Sequence, residues 1–503
     1  MYFDYLMFDH TSQVKLELYR TLSTYGSGEY QVNHFGNLHN LTYHQMIKLL
    51  TEIDEDLKKI DEGHETILQK NGKILLNEKM KKLDAYRCYL LQDSLPFKVL
   101  NDILSGETYT VEEYCELNNI GRSTLYRKLA NLIEFFKDYG IRICYTPLGL
   151  VGDEALIRLI LGYLFWIGYR GMKYPKSVNE KFVDQLYHRF VDVSNTEISY
   201  VSSKQIKNTI AVSLARLESG KICSGKREWN QVFDEYPVFD SEIIYKFKFK
   251  NAEEQKNELY YWYFLTFFLH YYSNENDTCI KQTLFIFSSF HPIHPVMELT
   301  NKFIFFAKKE IIGEEVPTKD LQMLQANLIH IAYAYYCFNG PIPDFEILTE
   351  PMHFNQRAYY EVYQKVEDFF ESLFREMRYK KMSKAKENLI RRYTNLLVPF
   401  VVAKGEVERL KIGIALERNP VLQHNLRLFL NRLNFIELEE FNPFQWATYD
   451  VVIHSTSALR EEFPTLNTYL WDIGFGEKEM YRLYQALHHQ FIKKSQQVSQ
   501  LTE

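Results

Sequence analysis

Residues 110–132 read TVEEYCELNNIGRSTLYRKLANL, and their spacing predicts two short helices joined by a tight turn. Thr110 caps the first helix, and Glu113, three residues on, closes a capping box in which each side chain serves an otherwise unpaired backbone N–H. Cys115, a small side chain, falls where two helices must approach closely. Asn118-Asn119-Ile120-Gly121 supplies the turn, with one apolar residue directed inward and Gly121 capping the second helix. In that helix Leu125, Leu129, Leu132, Ile133 and Phe136 recur at helical spacing and form a packing stripe. Ser123 and Arg127 lie opposite it, Thr124, Tyr126 and Asn131 flank that face, and Arg122 opens the helix. A guanidinium suits guanine edges or phosphates and hydroxyls suit phosphates, so this is the equipment of a recognition helix in a DNA major groove. An ordinary helical hairpin is the competing reading. After the helix, Ile141-Arg142-Ile143-Cys144-Tyr145 alternates like a strand, Thr146-Pro147-Leu148-Gly149 turns, and Leu150-Val151 returns, which would make a wing.

The arrangement repeats upstream less cleanly, with a helical packing module as the competing reading. Helix Gln13 to Leu22 serves as scaffold, Thr42 with Gln45 forms a second capping box, and Met46, Leu50, Ile53 and Leu57 continue one apolar stripe. Thr66 to Leu76 carries a hairpin signal around Asn71-Gly72. The start of this second candidate reading helix offers Tyr43, His44, Gln45 and Lys48. Glu52, Asp54, Glu55 and Asp56 follow, and because phosphates repel carboxylates this unit is expected to add less affinity than the one containing Arg127.

Composition narrows the class. The chain has 503 residues, 46% hydrophobic and 16% aromatic, enough for several cores. A net charge of −6 excludes a protein coated in positive charge, so DNA contact has to come from a local patch such as Arg122, Arg127, Lys128, Lys137 and Arg142. Six scattered cysteines without metal-ligand spacing read as reduced thiols of a cytoplasmic protein. No signal peptide is expected, and the aromatic run Tyr260 to Tyr272 is too short for a membrane span of ~20 residues. No cofactor and no metal site are expected. His291 and His294 share a proline-rich loop without nearby carboxylates, a weak metal site.

From Glu154 to Asn395 the periodicity is helical: 156–166, 181–190, 206–217, 253–272, 321–336 and a long helix 357–379, followed by a polar helix 380–392. The loop at Phe290 to Pro295 divides the region into two modules of similar length. The pattern then changes. Leu410–Leu416, Phe435–Leu438 and Asp450–His454 read as strands, with Leu470–Ile473 a fourth, and the helices Val421–Leu433 and Glu477–Lys493 alternate with them, implying a small α/β domain with a parallel sheet.

The stretch GRSTLYRKLANLIEFFKDYGIRICYTPLGLVGDE, Gly121 to Glu154, resembles the second DNA-binding unit of the Mga/AtxA-like family of virulence transcription regulators, and the order of domains extends the likeness along the chain. The resemblance implies a mainly α, multidomain fold: winged helix-turn-helix units at 1–85 and 86–154, helical phosphotransferase-regulation-like (PRD-like) domains at 155–278 and 279–395, and a phosphotransferase IIB-like α/β domain at 396–503. It further implies a regulator without catalytic turnover that binds double-stranded DNA. In such proteins central histidines accept phosphate from sugar-uptake relay proteins. Here His188 and His330, each opposite the apolar residues of its helix, are expected to be accessible, whereas His270 is expected to be core. Cysteine-type IIB components carry a phosphoryl-accepting Cys after their first strand. The matching stretch here is Leu416-Glu417-Arg418-Asn419-Pro420, with no Cys after 337. The last domain is therefore expected to hold a homodimer, with Val421 to Leu433, Phe441, Phe444 and Trp446 as its available apolar material. An RNA-binding antiterminator, or a phosphocarrier acting through the last domain, are the alternative classes; A-form RNA has too narrow a major groove for such helices, and no glycine-rich phosphate loop is present.

Overall fold

The computed structural model describes all residues except 78–81, 108, 176–177, 195–198, 236–246, 270–271, 344–345, 347, 349–355, 404–408, 417–419, 457, 472–476 and 501–503. Packing divides the chain into two units, Met1–Lys302 with Pro317–Met352 and Phe374–Asn388, and Phe303–Val316 with His353–Leu373 and Leu389–Glu503.

The first unit opens with α1 (Tyr2–Met7) and α2 (His10–Thr24), strand β1 (Gly28–Gln31), α3 (Val32–His39), α4 (Tyr43–Ile60) and β2 (Lys73–Leu76). Thr42 and Gln45 form the capping box expected at the start of α4. The hairpin turns at Gly72 with φ +74, a left-handed conformation that a side chain resists. The sequence reading lacked β1: it pairs antiparallel with β2, Gly28 opposite Leu76 and Gln31 opposite Lys73. A partner that far away along the chain leaves no local periodicity to read.

Next come α5 (Leu83–Asp93), α6 (Leu95–Leu104), α7 (Val111–Leu117), α8 (Arg122–Asp138) and the hairpin β3 (Arg142–Tyr145) to β4 (Leu148–Val151). Helix α1 packs on α6 and α8, and its Asp4 also accepts from Arg20 of α2 at 3.0 Å. The apolar face of α1 (Phe3, Leu6 and Met7, all buried) is thus turned toward elements that lie far along the chain.

Beyond the wing, α9 (Glu154–Tyr169), α10 (Glu180–Ser194), α11 (Tyr200–Glu218), α12 (Arg227–Phe233), α13 (Ala252–Leu269), α14 (Thr278–Ser288), α15 (Pro295–Ala307) and α16 (Thr318–Phe338) follow. At the heart of α9, α11 and α13 lies an ion network with no exposed charge. Arg158, 0% exposed, donates to both carboxylate oxygens of Glu258 at 2.5 and 3.2 Å, to Glu154 at 3.3 Å and to the Lys221 carbonyl at 2.6 Å. Arg216 grips Glu154 in a two-pronged pair at 2.9 and 2.7 Å. Buried charges survive only when matched this completely.

The expected long helix 357–379 ends early, at Leu373, and a 3-10 segment at Met377–Ala385 leads into a helix Lys386–Ala403. In the second unit the sheet is four-stranded and wholly parallel: Ile436–Glu440, Leu410–Ala415, Val451–His454 and Thr468–Leu470, in that spatial order. Its unit is wider than 396–503, because Phe303 packs rings with Phe369, Phe370 and Tyr393 and so gathers the segments 303–316 and 353–373. The departure point expected to carry a IIB cysteine, 417–419, lies outside the described residues, as does His270.

Candidate nucleic-acid interface

Two capping interactions set the helix ahead of the candidate reading helix of the second unit. Thr110 N–H donates to Glu113 at 2.7 Å and Glu113 N–H to the Thr110 hydroxyl at 3.3 Å, which fixes the start of α7. Its end turns back through Asn119, whose φ of 51 is left-handed, so Gly121 begins α8 at a sharp angle. Leu125, Leu129, Leu132, Phe135 and Phe136 are buried, and the wing is tied on by Leu148 N–H donating to the Tyr109 carbonyl at 2.7 Å.

Three stripes of α8 face three ways, as steps of three and four residues require. Ser123, Arg127, Ala130 and Glu134 are all exposed on the outward stripe. Arg127 makes no hydrogen bond or ion pair among the described residues, so its guanidinium is available to a ligand. Glu134 two turns on brings a carboxylate that phosphates repel, which limits the readable face to the first two turns. Tyr126 leans the other way, its ring 5.0 Å from that of Tyr145 in the wing, and therefore links helix and wing rather than standing free. Arg122 is paired with Glu112 of α7.

The third stripe, Thr124, Lys128, Asn131 and Phe135, turns toward α1. Tyr5 donates its hydroxyl to Asn131 Oδ1 at 3.1 Å, and Asn131 Nδ2 donates to the Tyr5 carbonyl at 3.4 Å. The Lys128 ammonium lies 3.3 Å from Asp9, and the ring of Tyr2 meets Phe135 at 6.0 Å. Expected as a reader, Asn131 is thus engaged within the protein at both ends of its amide. No local sequence signal announces this, since the partner lies 126 residues away.

On α4 of the first unit, Tyr43, His44, Gln45 and Lys48 are all exposed near the helix start. Gln45 spends its carbonyl on the cap, accepting from Thr42 N–H at 2.8 Å. The acidic continuation is less hostile to phosphate than its sequence suggests. Asp54 points inward, accepting from the backbone of Ile67 at 2.8 Å and Leu68 at 3.0 Å and from His64 at 2.9 Å. Asp56 is also buried, 2.5 Å from Lys15 and accepting from the Tyr86 hydroxyl at 3.1 Å. Only Glu52 and Glu55 remain near solvent, so the charge argument for a weaker first unit loses half its carboxylates.

The two histidines part ways. His188 is exposed on α10. His330 is not accessible as expected: it is 5% exposed, its Nε2 lies 3.3 Å from the Thr283 hydroxyl, and its ring packs 5.0 Å from Tyr272. Helix α16 is buried on nearly every side, so position opposite leucines does not mean solvent there. His291 is exposed, while His294 is enclosed by Phe287, Phe290 and Tyr336. No described helix is long and apolar enough to cross a membrane.

Residues 79–165, which span α5 through most of α9 and include α7, α8 and the wing, match the family described as the Mga helix-turn-helix domain. Over 132 residues the chain is 24% identical to the capsule synthesis positive regulator AcpB of Bacillus anthracis, a match covering 26% of this chain and 27% of that protein. The alignment thus spans about a quarter of the length of the relative. Residues 79–165 thus carry a helix-turn-helix domain of the Mga type, and it is in this part of the chain that the likeness to the Mga/AtxA-like family is supported.

Proposed function

We propose that the chain is a double-stranded DNA-binding transcription regulator of virulence or carbohydrate-responsive genes, an activator like the capsule regulator it resembles, without catalytic turnover. The observation that carries this reading is the outward stripe of α8: Ser123 and the unpaired guanidinium of Arg127 stand at the exposed start of a helix whose dimensions suit a major groove. Arg122, Thr124 and Tyr126 border that face, Asn131 buttresses it, and Tyr43, His44, Gln45 and Lys48 offer a second contact. Titration of the full chain against matched duplex DNA and duplex RNA tests the reading. Preference for DNA with a steep salt dependence supports it, and equal or stronger RNA binding moves the protein to the antiterminator class.

Regulation is proposed to run through PRD-like helices and phosphotransferase relay proteins, with His188 the better placed acceptor because it alone of the two candidates meets solvent. Mass spectrometry after incubation with relay proteins, under acid-free conditions, tests it. A homodimer through the IIB-like C-terminal unit is proposed on its exposed aromatics, Phe444 at 97% and Trp446 at 37%, since a two-fold protein suits paired contacts along DNA.

A further inference from the structure

Beside the reading helix lies a cleft of about 390 Å³ whose walls include Tyr5, Asp9, Asp93, Arg127, Lys128 and Asn131. One wall is the flank of α8, with two cations and an amide. The other is the turn between α1 and α2, where Asp9 caps α2 by accepting from Ser12 N–H at 3.0 Å and faces the Lys128 ammonium with its second oxygen, 3.3 Å away. Burial pushes the Asp9 carboxyl up, but the Ser12 hydrogen bonds and the Lys128 charge outweigh it and hold the group below its ordinary value. A carboxylate therefore occupies the place beside Lys128 that a backbone phosphate needs, one residue along the helix from the free Arg127.

We propose that Asp9 is an intramolecular stand-in for a DNA phosphate: in the free protein it holds Lys128 at the flank of α8, and duplex binding exchanges that carboxylate for a phosphodiester seated between Lys128 and Arg127. The proposal rests on the DNA-binding reading and adds a contact and a brake to it. Both partners are about half or two-fifths exposed, at 52% for Asp9 and 39% for Lys128, so the exchange is open to solvent and needs no rearrangement of the core. The brake is correspondingly light. An exposed ion pair contributes little, and its loss corresponds to about a two- to fivefold change in an equilibrium constant. Phosphate contacts carry no base information, so this pair sets affinity and salt dependence and leaves sequence preference alone.

Asp9→Asn separates the two duties of the residue, because an asparagine oxygen caps a helix as well as aspartate does while the charge is gone. The test uses the full chain and a fluorescein-labelled duplex of roughly 30 base pairs, about three helical turns, in an anisotropy titration at low salt. D9N is expected to bind about two- to fivefold tighter than the unsubstituted protein, and the gain is expected to vanish in a Lys128→Gln background. K128Q alone should reduce the slope of log affinity against log salt by about 0.9, the release of one phosphate's counterion. Asp93→Asn is the charge-matched control: it lines the same cleft but sits 3.8 Å from Lys98, so its effect should be smaller and equal in both backgrounds. A D9N protein with unchanged melting temperature and unchanged or weaker binding overturns the proposal, as does a gain of equal size with and without Lys128. If D9N melts early, Asp9→Ser keeps a capping hydroxyl and repeats the comparison. Failure of the unsubstituted chain to bind any duplex is a different result and removes the DNA-binding reading itself.

Discussion

Arg127→Ala is the sharpest test of the interface. The side chain is exposed on the outward stripe of α8 and has no partner among the described residues, so its removal breaks nothing in the free protein. Alanine is the better helix former by a few tenths of a kcal/mol, and folding stability should stay within about 0.5 kcal/mol of its starting value. Binding is another matter. A guanidinium paired two-pronged with a guanine is worth about 1–3 kcal/mol of discrimination, which is roughly five- to 150-fold in affinity. If Arg127 touches only phosphate, the loss falls uniformly on all sequences and the salt slope drops by about 0.9. Anisotropy titrations against several duplexes over a salt series separate the two cases. Arg122→Ala gives the internal comparison: its guanidinium is already held by Glu112, so part of what it gains on DNA is lost from that pair, and its removal should cost less. A folded R127A protein within about 1.5-fold of the unsubstituted affinity at every salt concentration, where one lost phosphate contact alone predicts more, removes Arg127 from the interface and with it the orientation assigned to α8.

Glu258→Gln should destabilise the first unit by about 3–5 kcal/mol in urea unfolding, because Arg158 stays buried with its main counter-charge removed; a loss below about 1 kcal/mol would show that Glu154 alone suffices. His294 ties stability to pH. Burial first, then the Arg378 charge, lowers it from 6.5 to about 4, so above 6.5 neither state is protonated, between 6.5 and 4 only the unfolded chain takes the proton, and stability falls as pH falls through that window. His294→Gln should shrink the stability difference between about pH 7 and pH 4.5 by about 2–3 kcal/mol, and an unchanged difference refutes the assignment. Dimerisation through the C-terminal unit predicts that Phe444→Asp lowers the mass seen by light scattering at micromolar concentration while the far-ultraviolet circular dichroism stays the same; a persistent dimer places the interface elsewhere.

Local chemistry made the helix starts legible. Both capping boxes, Thr42 with Gln45 and Thr110 with Glu113, are present as spaced, and the parallel sheet follows from strands alternating with helices. What sequence hid was every decision made by a distant partner. Asp54 and Asp56 look like a solvated acidic run, yet backbone N–H groups at Ile67 and Leu68 and the side chains of Lys15 and Tyr86 draw them inside. Asn131 has a reader's chemistry, and no local signal shows that Tyr5, 126 residues away, pairs with both ends of its amide. His330 reads as a polar face, but α16 is covered on nearly every side, and a hydroxyl and an aromatic ring satisfy it there. Deleting residues 1–85 takes away α1 and with it the support of α8, and truncation near residue 400 cuts through a unit that also contains 303–316 and 353–373; point substitutions avoid both.

The junction after the wing constrains how a signal travels to the proposed DNA-binding face. Strand β4 ends at Val151, Asp153 caps α9 by accepting from Ala155 N–H at 3.0 Å, and the same carboxylate is paired with Lys226. One residue later Glu154 enters the buried network, held by Arg158 and Arg216. Within three residues of the end of β4 the chain therefore enters a network whose two arginines are buried. Breaking such a pair costs about 3–5 kcal/mol, whereas coupling between sites in regulated proteins is typically about 1–3 kcal/mol. A signal of ordinary size cannot afford to dismantle this network between helices and wing. Helices α9, α11 and α13 then respond as one piece, and the freedom that the proposed regulation needs lies at contacts made of exposed pairs, such as Asp9 with Lys128 and Arg122 with Glu112 beside the proposed reading face.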